Sequence, residues 1–409
     1  MNILHFAEVS AATVIGGGER VLREQVLGLQ RLGHRVSTVV RMPAGDARPL
    51  VMVGEVPEYR YQASRSNEPA FVLSSIVRSV RAFDQVRRSC PPDAAVIHQS
   101  LAGLGAVLLR RSRIATWVYV CHSLAHEEYL SRTPQATTRV GRLRRAGNAR
   151  ARFWVERAVM RRCDRIVVLS EFMKRRVVTT HGVPEAHVRA IPGGADLSHF
   201  CPPVDQAAVR RRLALPEGRR VLLAVRNLVP RMGLDNLLHA MAKLGDEVQD
   251  LLLLIGGEGE LRRSLERQID EFRLAGHVRL LGFIPEEELP QYYQASDLVL
   301  MPTHELEGFG LVTVEALACG TPVVGTPVGA LPEVLSRLDQ RLLAAGTDGA
   351  SLAQAIHRTL ARFRDEPGER ERLSRKGLAL VKEEYNWDRH NGRFAALLTE
   401  TRAETGRSR

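Results

Sequence analysis

The sequence predicts an α/β protein with parallel sheets, divided into two or three domains. Short apolar runs typical of buried strands alternate with segments of helical spacing along the whole chain. Glycine-rich stretches follow several of these runs, where a strand passes into a helix. The length of 409 residues exceeds that of one ordinary domain, and an apolar content of 44% can fill more than one core. Strands with continuous apolar runs belong in parallel sheets, because such sheets are buried on both faces.

The first half begins with the strand, helix, strand order of a doubly wound domain. Residues 1–9 predict a buried strand, and residues 16–20 (GGGER) predict a glycine loop after it. A helical pattern then runs to Gly33, and residues 34–41 predict the next strand. The loop lacks Gly-x-Gly-x-x-Gly spacing, so by itself it is only weak support for a dinucleotide site. Residues 43–69 have mixed character and receive no assignment.

Two predicted strands in this half end at histidines. Residues 71–88 predict a helix, residues 93–99 a strand that ends at His98, and residues 115–121 a strand followed by His122. Ligands of open α/β sheets bind beyond the carboxyl ends of strands. We interpret His98 as a polar cap of its strand. For His122, a cap and a functional role both remain open from the residues alone.

Residues 132–176 form a strongly basic segment. They contain fourteen Arg and Lys against three Asp and Glu, which accounts for nearly all of the net charge of +12. A broken apolar stripe runs through the segment, and Gly147 with Asn148 divides it, which suggests two helices. A solvated helix face, an anionic membrane surface, nucleic acid and an acidic substrate could each explain the charge. Few aromatic residues lie among the arginines, which weakens the interpretation as a nucleic-acid site.

The second half again alternates strands and helices, and it ends in helical segments. Residues 235–244 and 351–399 have helical patterns, and a basic tail follows. The predicted strands are residues 221–225, 251–255, 278–283, 297–301 and 321–325.

The most informative stretch is residues 304–320 (HELEGFGLVTVEALACG). A turn containing Gly308 and Gly310 precedes a helical run that starts at Leu311, so the turn opens a helix whose N–H groups and dipole could bind a phosphate. Glu315 lies in the helix, close enough to accept hydrogen bonds from sugar hydroxyls, and Glu307 precedes it. The pattern indicates a nucleotide-sugar site. An ordinary βα unit with two solvated glutamates is the alternative.

Residues 307–335 (EGFGLVTVEALACGTPVVGTPVGALPEVL) closely resemble the donor-site signature of the family-four retaining glycosyltransferases of GT-B fold. The resemblance extends over almost the whole chain. It implies two Rossmann-like doubly wound domains that face each other across a cleft. We expect an acceptor domain over residues 1–195, a donor domain over residues 196–380, and a final helix with a basic tail over residues 381–409 that crosses back to the first domain.

The resemblance also implies roles for particular residues. Glu315 is expected to hold the donor ribose, and Glu307 to act nearer the transferred sugar. His122 resembles the histidine at the acceptor side of the family's cleft. The donor-binding residues are expected to be Gly17, Gly18, Asn227, Phe283, Gly308, Phe309, Gly310, Leu311 and Glu315.

One loop of this chain departs from the family's pattern. The family has Gly-Arg after the first strand of the donor domain and Lys-Gly five residues beyond the arginine. Here Asn227 and Met232 take the positions of those two cations. Arg226 and Arg231 stand one position earlier and keep the spacing. We expect these two arginines to be catalytic by stabilising the leaving diphosphate, because arginine is long and binds phosphate through two donors.

The implied reaction moves a sugar from a nucleoside diphosphate to a hydroxyl of a glycan, a lipid-linked compound or a small molecule, with retention of configuration. No Asp-x-Asp occurs in the sequence, so we expect no metal and no cofactor besides the donor substrate. A nucleotide-sugar epimerase or phosphorylase of the same fold remains an alternative. A nucleic-acid-binding protein that uses the basic segment is a second alternative, although we expect no nucleic-acid partner.

The remaining features concern location. The five cysteines are odd in number and never arranged as Cys-x-x-Cys, which indicates reduced thiols. No apolar run approaches the ~18 residues of a membrane span, and the first residues lack a signal-peptide pattern. We therefore expect a cytoplasmic protein, with an anionic membrane surface at the inner face of the plasma membrane as a candidate partner of residues 132–176.

Overall fold

A computed structural model of the chain describes residues 1–64, 66–110, 113–133 and 138–407. The chain separates into two compact units. Unit 1 comprises Met1–Gly193 together with Trp387–Arg409, and unit 2 comprises Gly194–Asn386. The first boundary thus falls two residues before the predicted end of the first domain, and the last segment starts at Trp387 instead of residue 381. Residues 408 and 409 of the predicted basic tail lie outside the described residues.

Unit 1 contains one sheet of eight strands in the order β3-β4-β2-β1-β5-β6-β7-β8. All neighbouring strands are parallel except β3 and β4, which are antiparallel. The strands are β1 Asn2–Ala7, β2 Arg35–Arg41, β3 Leu50–Val53, β4 Val56–Tyr61, β5 Ala94–Ile97, β6 Thr116–Cys121, β7 Arg165–Val168 and β8 Val188–Ala190.

Helices cover both faces of this sheet. On one face Leu4 and Phe6 pack with Phe83 and Trp117, and on the other Ile3 and Ala7 pack with residues of α1 and α15. The helices of unit 1 are α1 Gly17–Arg31, α2 Glu68–Ser89, α3 Ser100–Leu109, α4 Ala125–Arg132, α5 Arg139–Met160, α6 Glu171–His181 and, after unit 2, α15 Trp387–Arg407.

Unit 2 is a smaller version of the same architecture. Its five strands are parallel, in the order β11-β10-β9-β12-β13. They are β9 Arg220–Val225, β10 Leu251–Gly256, β11 Val278–Gly282, β12 Leu298–Met301 and β13 Val323–Gly325. The helices are α7 Gln206–Arg212, α8 Leu234–Lys243, α9 Arg262–Glu271, α10 Leu289–Ala295, α11 Leu311–Ala318, α12 Leu331–Leu338, α13 Gly349–Asp365 and α14 Glu369–Glu384.

Three local predictions are wrong or incomplete. The glycines of residues 16–20 do not form a loop: Gly16 is the N-cap of α1, and the others form its first turn. Glycine is one of the residues that N-cap positions accept. Gly147 and Asn148 do not divide the basic segment either, since α5 is continuous through them. Residues 43–69, left unassigned, contain β3 and β4.

The surface of α5 differs from an ordinary amphipathic helix. Its buried residues are Ala149, Glu156, Val159 and Met160. The apolar stripe seen in the sequence lies elsewhere on the helix and faces outward. Val140 is 76% exposed, Leu143 74% and Trp154 53%. Residues 134–137 of the basic segment lie outside the described residues.

Candidate active site

The loop between β12 and α11 carries most of the predicted donor-site residues. It covers residues 302–310, and two residues with left-handed backbone bend it: Leu306 with φ of 60° and Gly310 with φ of 83°. Gly310 is the N-cap of α11, so this helix begins at Leu311, as predicted. Leu311 and Val312 are partly exposed. The N-terminus of α11 therefore offers backbone N–H donors and the positive end of the helix dipole to an anion.

Close backbone packing holds this loop in place. A Cβ atom at Gly329 would lie 2.0 Å from the carbonyl oxygen of Glu307, and the backbone N of Ala330 donates to the same oxygen at 3.0 Å. The ring of Phe309 is buried, and its centroid lies 5.8 Å from that of Tyr385. The Phe309 ring thus anchors the loop.

Glu307 and Arg226, both predicted to be catalytic, form a buried ion pair. Arg226 Nη2 contacts Glu307 Oε2 and also donates to Thr303 Oγ1. Thr303 Oγ1 donates to Glu307 Oε2 at 3.0 Å. All three residues are buried. A carboxylate of the protein therefore balances the charge of Arg226, whereas the sequence-based hypothesis treated this arginine only as a cation for the phosphates.

Asn227 and Arg231 lie on the loop after β9. Asn227 is exposed. The carbonyl oxygen of Arg231 accepts hydrogen bonds from the backbone N of His304 at 2.9 Å and of Glu305 at 3.1 Å. Arg231 Nη1 donates to the carbonyl oxygen of Leu306 at 3.1 Å. Arg231 thus joins the loop after β9 to the loop before α11. The residues that it contacts, 304–306, directly precede Glu307.

Glu315 lies in the second turn of α11 and is only 2% exposed. Its Oε2 atom accepts a hydrogen bond of 3.0 Å from the hydroxyl of Tyr293, a fully buried residue of α10. This bond fixes the orientation of the Glu315 carboxylate. The sequence contains no local signal for this contact, because the two residues belong to different helices.

Phe283 follows β11 directly and is 51% exposed. The carboxyl ends of parallel strands are where ligands bind in α/β sheets. An exposed aromatic ring at such a position suits contact with a flat nucleotide base. Phe283 is not among the residues that the Glu307 loop brings together.

The remaining predicted residues belong to unit 1. Gly17 is exposed and Gly18 partly exposed, both in the first turn of α1. His122 follows β6, where its Nε2 atom lies 3.1 Å from Nδ1 of His98. The other ring nitrogen of His122, Nδ1, is buried with no hydrogen-bond partner among the described residues. Burial lowers the pKa of His122 to about 4, so the ring is neutral at pH 7.

Two family models match the chain. The model described as Glycosyltransferase Family 4 matches residues 15–199, and that described as Glycosyl transferases group 1 matches residues 205–378. The GDP-mannose-dependent alpha-(1-6)-phosphatidylinositol monomannoside mannosyltransferase of Mycolicibacterium smegmatis is 31% identical over 74% of each chain. A D-inositol 3-phosphate glycosyltransferase of Geodermatophilus obscurus is 32% identical over 78% of this chain and 71% of its own. The chain belongs to glycosyltransferase family 4.

The fold of this glycosyltransferase is shared with solved structures. Sucrose-phosphate synthase from Thermosynechococcus elongatus matches it with a TM-score of 0.83 at 25% identity, over 98% of this chain and 99% of its own. HepE from Anabaena, in complex with UDP, matches with a TM-score of 0.74 at 18% identity, over 98% and 100% of the two chains. These similarities confirm the predicted GT-B fold, and the family confirms the predicted class of enzyme.

The sequence did not single out three residues that contact predicted functional residues or their neighbours in the structure. Thr303 and Tyr293 contact the two predicted acids directly. His5 lies within β1, and its Nδ1 atom is 2.9 Å from Nε2 of His98. A histidine inside an otherwise apolar buried strand is a sequence signal that could have singled out His5.

One further cluster of polar side chains lies in unit 1. His126, Glu156 and His181 bring three potential metal-ligand atoms within 4.8 Å of one another. The oxygens of Glu156 already accept hydrogen bonds from the hydroxyl of Tyr119 at 2.9 Å and from the backbone N of Ala125 at 3.1 Å. Its Oε2 also lies 3.0 Å from Nε2 of His181. The carboxylate thus joins β6, α4, α5 and α6.

Two other findings bear on the expected location. Each of the five cysteines is free. None of the helices in the described part of the chain is long and apolar enough to cross a membrane.

Proposed function

We propose that this glycosyltransferase moves a sugar from a nucleoside-diphosphate sugar to a hydroxyl acceptor, with retention of anomeric configuration and without a metal ion. The observation that carries the proposal is the N-terminus of α11, with Glu307 in the loop before it and Glu315 in its second turn. This arrangement supplies an anion-binding helix end between two carboxylates, which suits a diphosphate that links a ribose to a sugar.

Each part of the donor then has a partner in unit 2. Glu315, oriented by Tyr293, accepts hydrogen bonds from the ribose hydroxyls. The backbone N–H groups at the start of α11 bind the diphosphate, and Glu307 accepts hydrogen bonds from the sugar. In the reaction the bond from the anomeric carbon to the phosphate oxygen breaks, and the acceptor oxygen bonds to that carbon on the same face. The acceptor's proton passes to the departing diphosphate.

Positive charge must stabilise the diphosphate as it leaves. The dipole of α11 and the guanidinium groups of Arg226 and Arg231 are the sources that we propose. Arg226 also holds Glu307 in place through its ion pair. Donor binding therefore changes the surroundings of this pair, since an anion at the end of α11 competes with Glu307 for the guanidinium.

We further propose that the acceptor carries a phosphate group. The names of the two curated relatives above both contain a phosphorylated inositol. The basic residues 132–176 give unit 1 the charge that attracts such a compound. His122 is the residue of unit 1 that we assign to contact with the acceptor.

The exposed stripe of α5 supports a membrane-bound form of that acceptor. Val140, Leu143 and Trp154 stand outward between arginines, as in helices that lie on anionic lipid. Each cation near such a surface contributes about 1 kcal/mol. We therefore propose that the protein acts in the cytoplasm at the inner face of the membrane, where it meets a lipid-linked acceptor.

A two-part experiment tests the proposed reaction. Calorimetric titration with GDP, UDP, ADP and dTDP identifies the nucleotide, and Glu315→Ala is expected to weaken its binding by about 1–3 kcal/mol. The matching donor sugars are then incubated with inositol 1-phosphate, inositol 3-phosphate and phosphatidylinositol, and proton NMR of the product gives the anomeric configuration.

We expect one nucleotide to bind, and its sugar to be transferred with retention to an inositol that carries phosphate. Transfer should be unchanged by EDTA. An inverted product, or activity that EDTA abolishes and Mg²⁺ restores, would contradict the mechanism. Interconversion of the donor sugar without an acceptor would identify an epimerase instead.

A further inference from the structure

Three histidines lie in a row across neighbouring strands of unit 1. His5 is in β1, His98 follows β5, and His122 follows β6. In the parallel register His5 is opposite Val96, and Val96 is opposite Val118. Residues two apart on a strand point to the same face. Val96 and Val118 belong to the core on the face covered by α1 and α15, and so His5, His98 and His122 all lie on that face. We call these three residues the histidine row.

The ring nitrogens of the row connect end to end. His5 Nδ1 lies 2.9 Å from His98 Nε2, and His98 Nδ1 lies 3.1 Å from His122 Nε2. The rings are also stacked, with centroids 5.2 Å and 5.3 Å apart. Two nitrogens at the ends of the row, His5 Nε2 and His122 Nδ1, are buried and have no hydrogen-bond partner among the described residues.

All three rings are neutral at pH 7. Burial lowers the pKa of His5 to about 3 and that of His122 to about 4, and it lowers the pKa of His98 well below its usual value. A neutral imidazole has one N–H and one nitrogen that accepts. Every ring in the row must therefore donate its N–H in the same direction along the row. The tautomer of the ring at one end then fixes the tautomer of the ring at the other end.

The surroundings of the row select one direction. His5 is 0% exposed and His122 is partly exposed. A buried N–H without a partner is rarer in proteins than a buried acceptor without one. Nδ1 of His122 is buried as well, but it belongs to the partly exposed end of the row, where a bound acceptor can supply the oxygen that an N–H needs. No ligand can reach His5 Nε2 in the interior, so the lone pair belongs there. His5 then donates from Nδ1 to His98, His98 donates from Nδ1 to His122 Nε2, and the remaining N–H is on His122 Nδ1.

His390 of α15, whose charge would affect His98 and His122, does not reverse this order. On α15, His390 donates from Nδ1 to the carbonyl oxygen of Pro192 at 2.8 Å, since that oxygen can only accept. His390 Nε2 must then accept from the amide Nε2 of Gln25 on α1, at 2.9 Å. Each tautomer assignment follows from the partner's chemistry, and His390 adds no N–H that would compete for the row.

We propose that His5 and His98 are positioning residues that hold His122 as its Nδ1–H tautomer, so that this N–H donates to an oxygen of the acceptor. The ligand's identity rests on the proposed function, whereas the tautomer does not. A free imidazole would exchange between two tautomers, and only one of them donates from Nδ1. The row fixes the tautomer of His122 before the ligand binds, which lowers the entropy lost on binding.

The tautomer can be measured directly in the resting protein. Long-range ¹H–¹⁵N NMR spectra of protein labelled with ¹⁵N-histidine distinguish the two neutral tautomers, and single substitutions assign the signals. We expect His5, His98 and His122 all to carry their proton on Nδ1. In His98→Phe, which keeps a flat ring without nitrogens, His122 should shift towards the Nε2–H tautomer. In His98→Gln, whose amide can still donate to His122 Nε2, the Nδ1–H tautomer should persist.

Kinetics of the same two variants test the consequence for transfer. His98→Phe is expected to lower kcat by roughly tenfold to a hundredfold, the range for one lost hydrogen bond in a buried site. Nucleotide binding by unit 2 should stay unchanged, and His98→Gln should restore most of the activity. His5→Phe should act in the same direction, because it removes the group that sets the order of the row.

The outcomes separate this proposal from the proposed function. His122 with its proton on Nε2 in the wild type, or unchanged in His98→Phe, would overturn the proposal. So would equal loss of activity in His98→Phe and His98→Gln, since that indicates a packing role. If the wild type transfers no sugar to any acceptor, the proposed function fails while the NMR result still decides the tautomer.

Discussion

At the scale of single residues, the pairing of Arg226 with Glu307 has the clearest energetic consequence. Both side chains are buried, and each satisfies the other's charge. Removing one partner of a buried ion pair leaves an uncompensated charge, which costs about 3–5 kcal/mol. Arg231 is only partly buried, so replacing it should cost less stability. The two arginines should therefore respond differently to substitution.

We expect Arg231→Ala to reduce turnover by ~10²-fold or more, the effect of removing one charge stabiliser, with little change in thermal stability. Arg226→Ala should reduce turnover and also destabilise unit 2, because Glu307 is left buried without its cation. The double variant Arg226→Met/Glu307→Gln should recover stability but no activity. Melting curves and steady-state kinetics on the four proteins provide the measurement. Normal transfer by both single variants would show that the diphosphate is neutralised elsewhere.

The sequence singled out the acids and cations of this candidate site, but their contacts within the protein could not be predicted. Glu307 and Glu315 stand in one short motif with a fixed spacing, so a local pattern reveals them. Tyr293 and Thr303 act through contacts formed only when separate elements come together. The same holds for the pairing of Arg226, which lies 81 residues from Glu307.

At the scale of elements, α5 is the helix whose sequence and structure need the most explanation. A helix normally turns its apolar stripe inward. Here a polar residue, Glu156, lies on the inner side, while Val140, Leu143 and Trp154 lie outside. Glu156 is held by Tyr119 and Ala125. An outward apolar stripe between arginines lowers solubility unless a surface covers it, and anionic lipid has the required charge and apolar interior.

We expect the protein to pellet with vesicles that contain anionic phospholipid at low salt, and the bound fraction to fall as salt is raised. The double variant Leu143→Ser/Trp154→Ala should bind several-fold less, because it removes two apolar contacts but no charge. Val204→Ser is the matched control, since Val204 is an exposed apolar residue of unit 2. Equal binding by both variants would place the membrane contact elsewhere, and no pelleting at low salt would refute it.

Most elements were predictable because their local pattern and their tertiary environment agree. The strands β5, β6, β9, β10 and β12 are continuous apolar runs, and each was found within one or two residues of its bounds. The pattern fails for β3, which has only four residues and is mostly exposed, and for β4, whose charged and polar residues do not alternate cleanly. One of them, Glu58, is fully buried and accepts hydrogen bonds from Ser10 and Ala11. The partners that make its burial tolerable are remote in sequence.

At the scale of the whole molecule, the two units should respond differently to acid. Unit 1 contains His5, His98, His122 and His390, whose pKa values burial lowers. For His390 the folded-state pKa is about 4, against 6.5 in an unfolded chain. The unfolded state therefore binds a proton that the folded state does not. Stability is complete above pH 6.5 and is lost as the pH falls towards 4.

We expect the free energy of unfolding of unit 1 to decrease between pH 7 and pH 5. The three tryptophans (Trp117, Trp154 and Trp387) all lie in unit 1, so their fluorescence follows this unit alone during urea unfolding. His390→Gln should reduce the slope by up to about 1.4 kcal/mol per pH unit, the value for one proton. Substituting the exposed His187 by Gln serves as the control. A wild-type free energy that is constant over this range would contradict the assignment of neutral buried histidines.

The path of the chain through unit 1 has a consequence for how the protein is made. The chain leaves unit 1 after Gly193 and returns to it only at Trp387, when α15 brings Phe394 and Leu398 to the core beside β1. A ribosome therefore completes all of unit 2 before it releases the segment that covers one face of the first sheet. Until then α1 is in place but α15 is not, so the part of that face that α15 covers remains an exposed apolar surface. A nascent-chain chaperone therefore has the longest time to act on the part of the protein that was synthesised first.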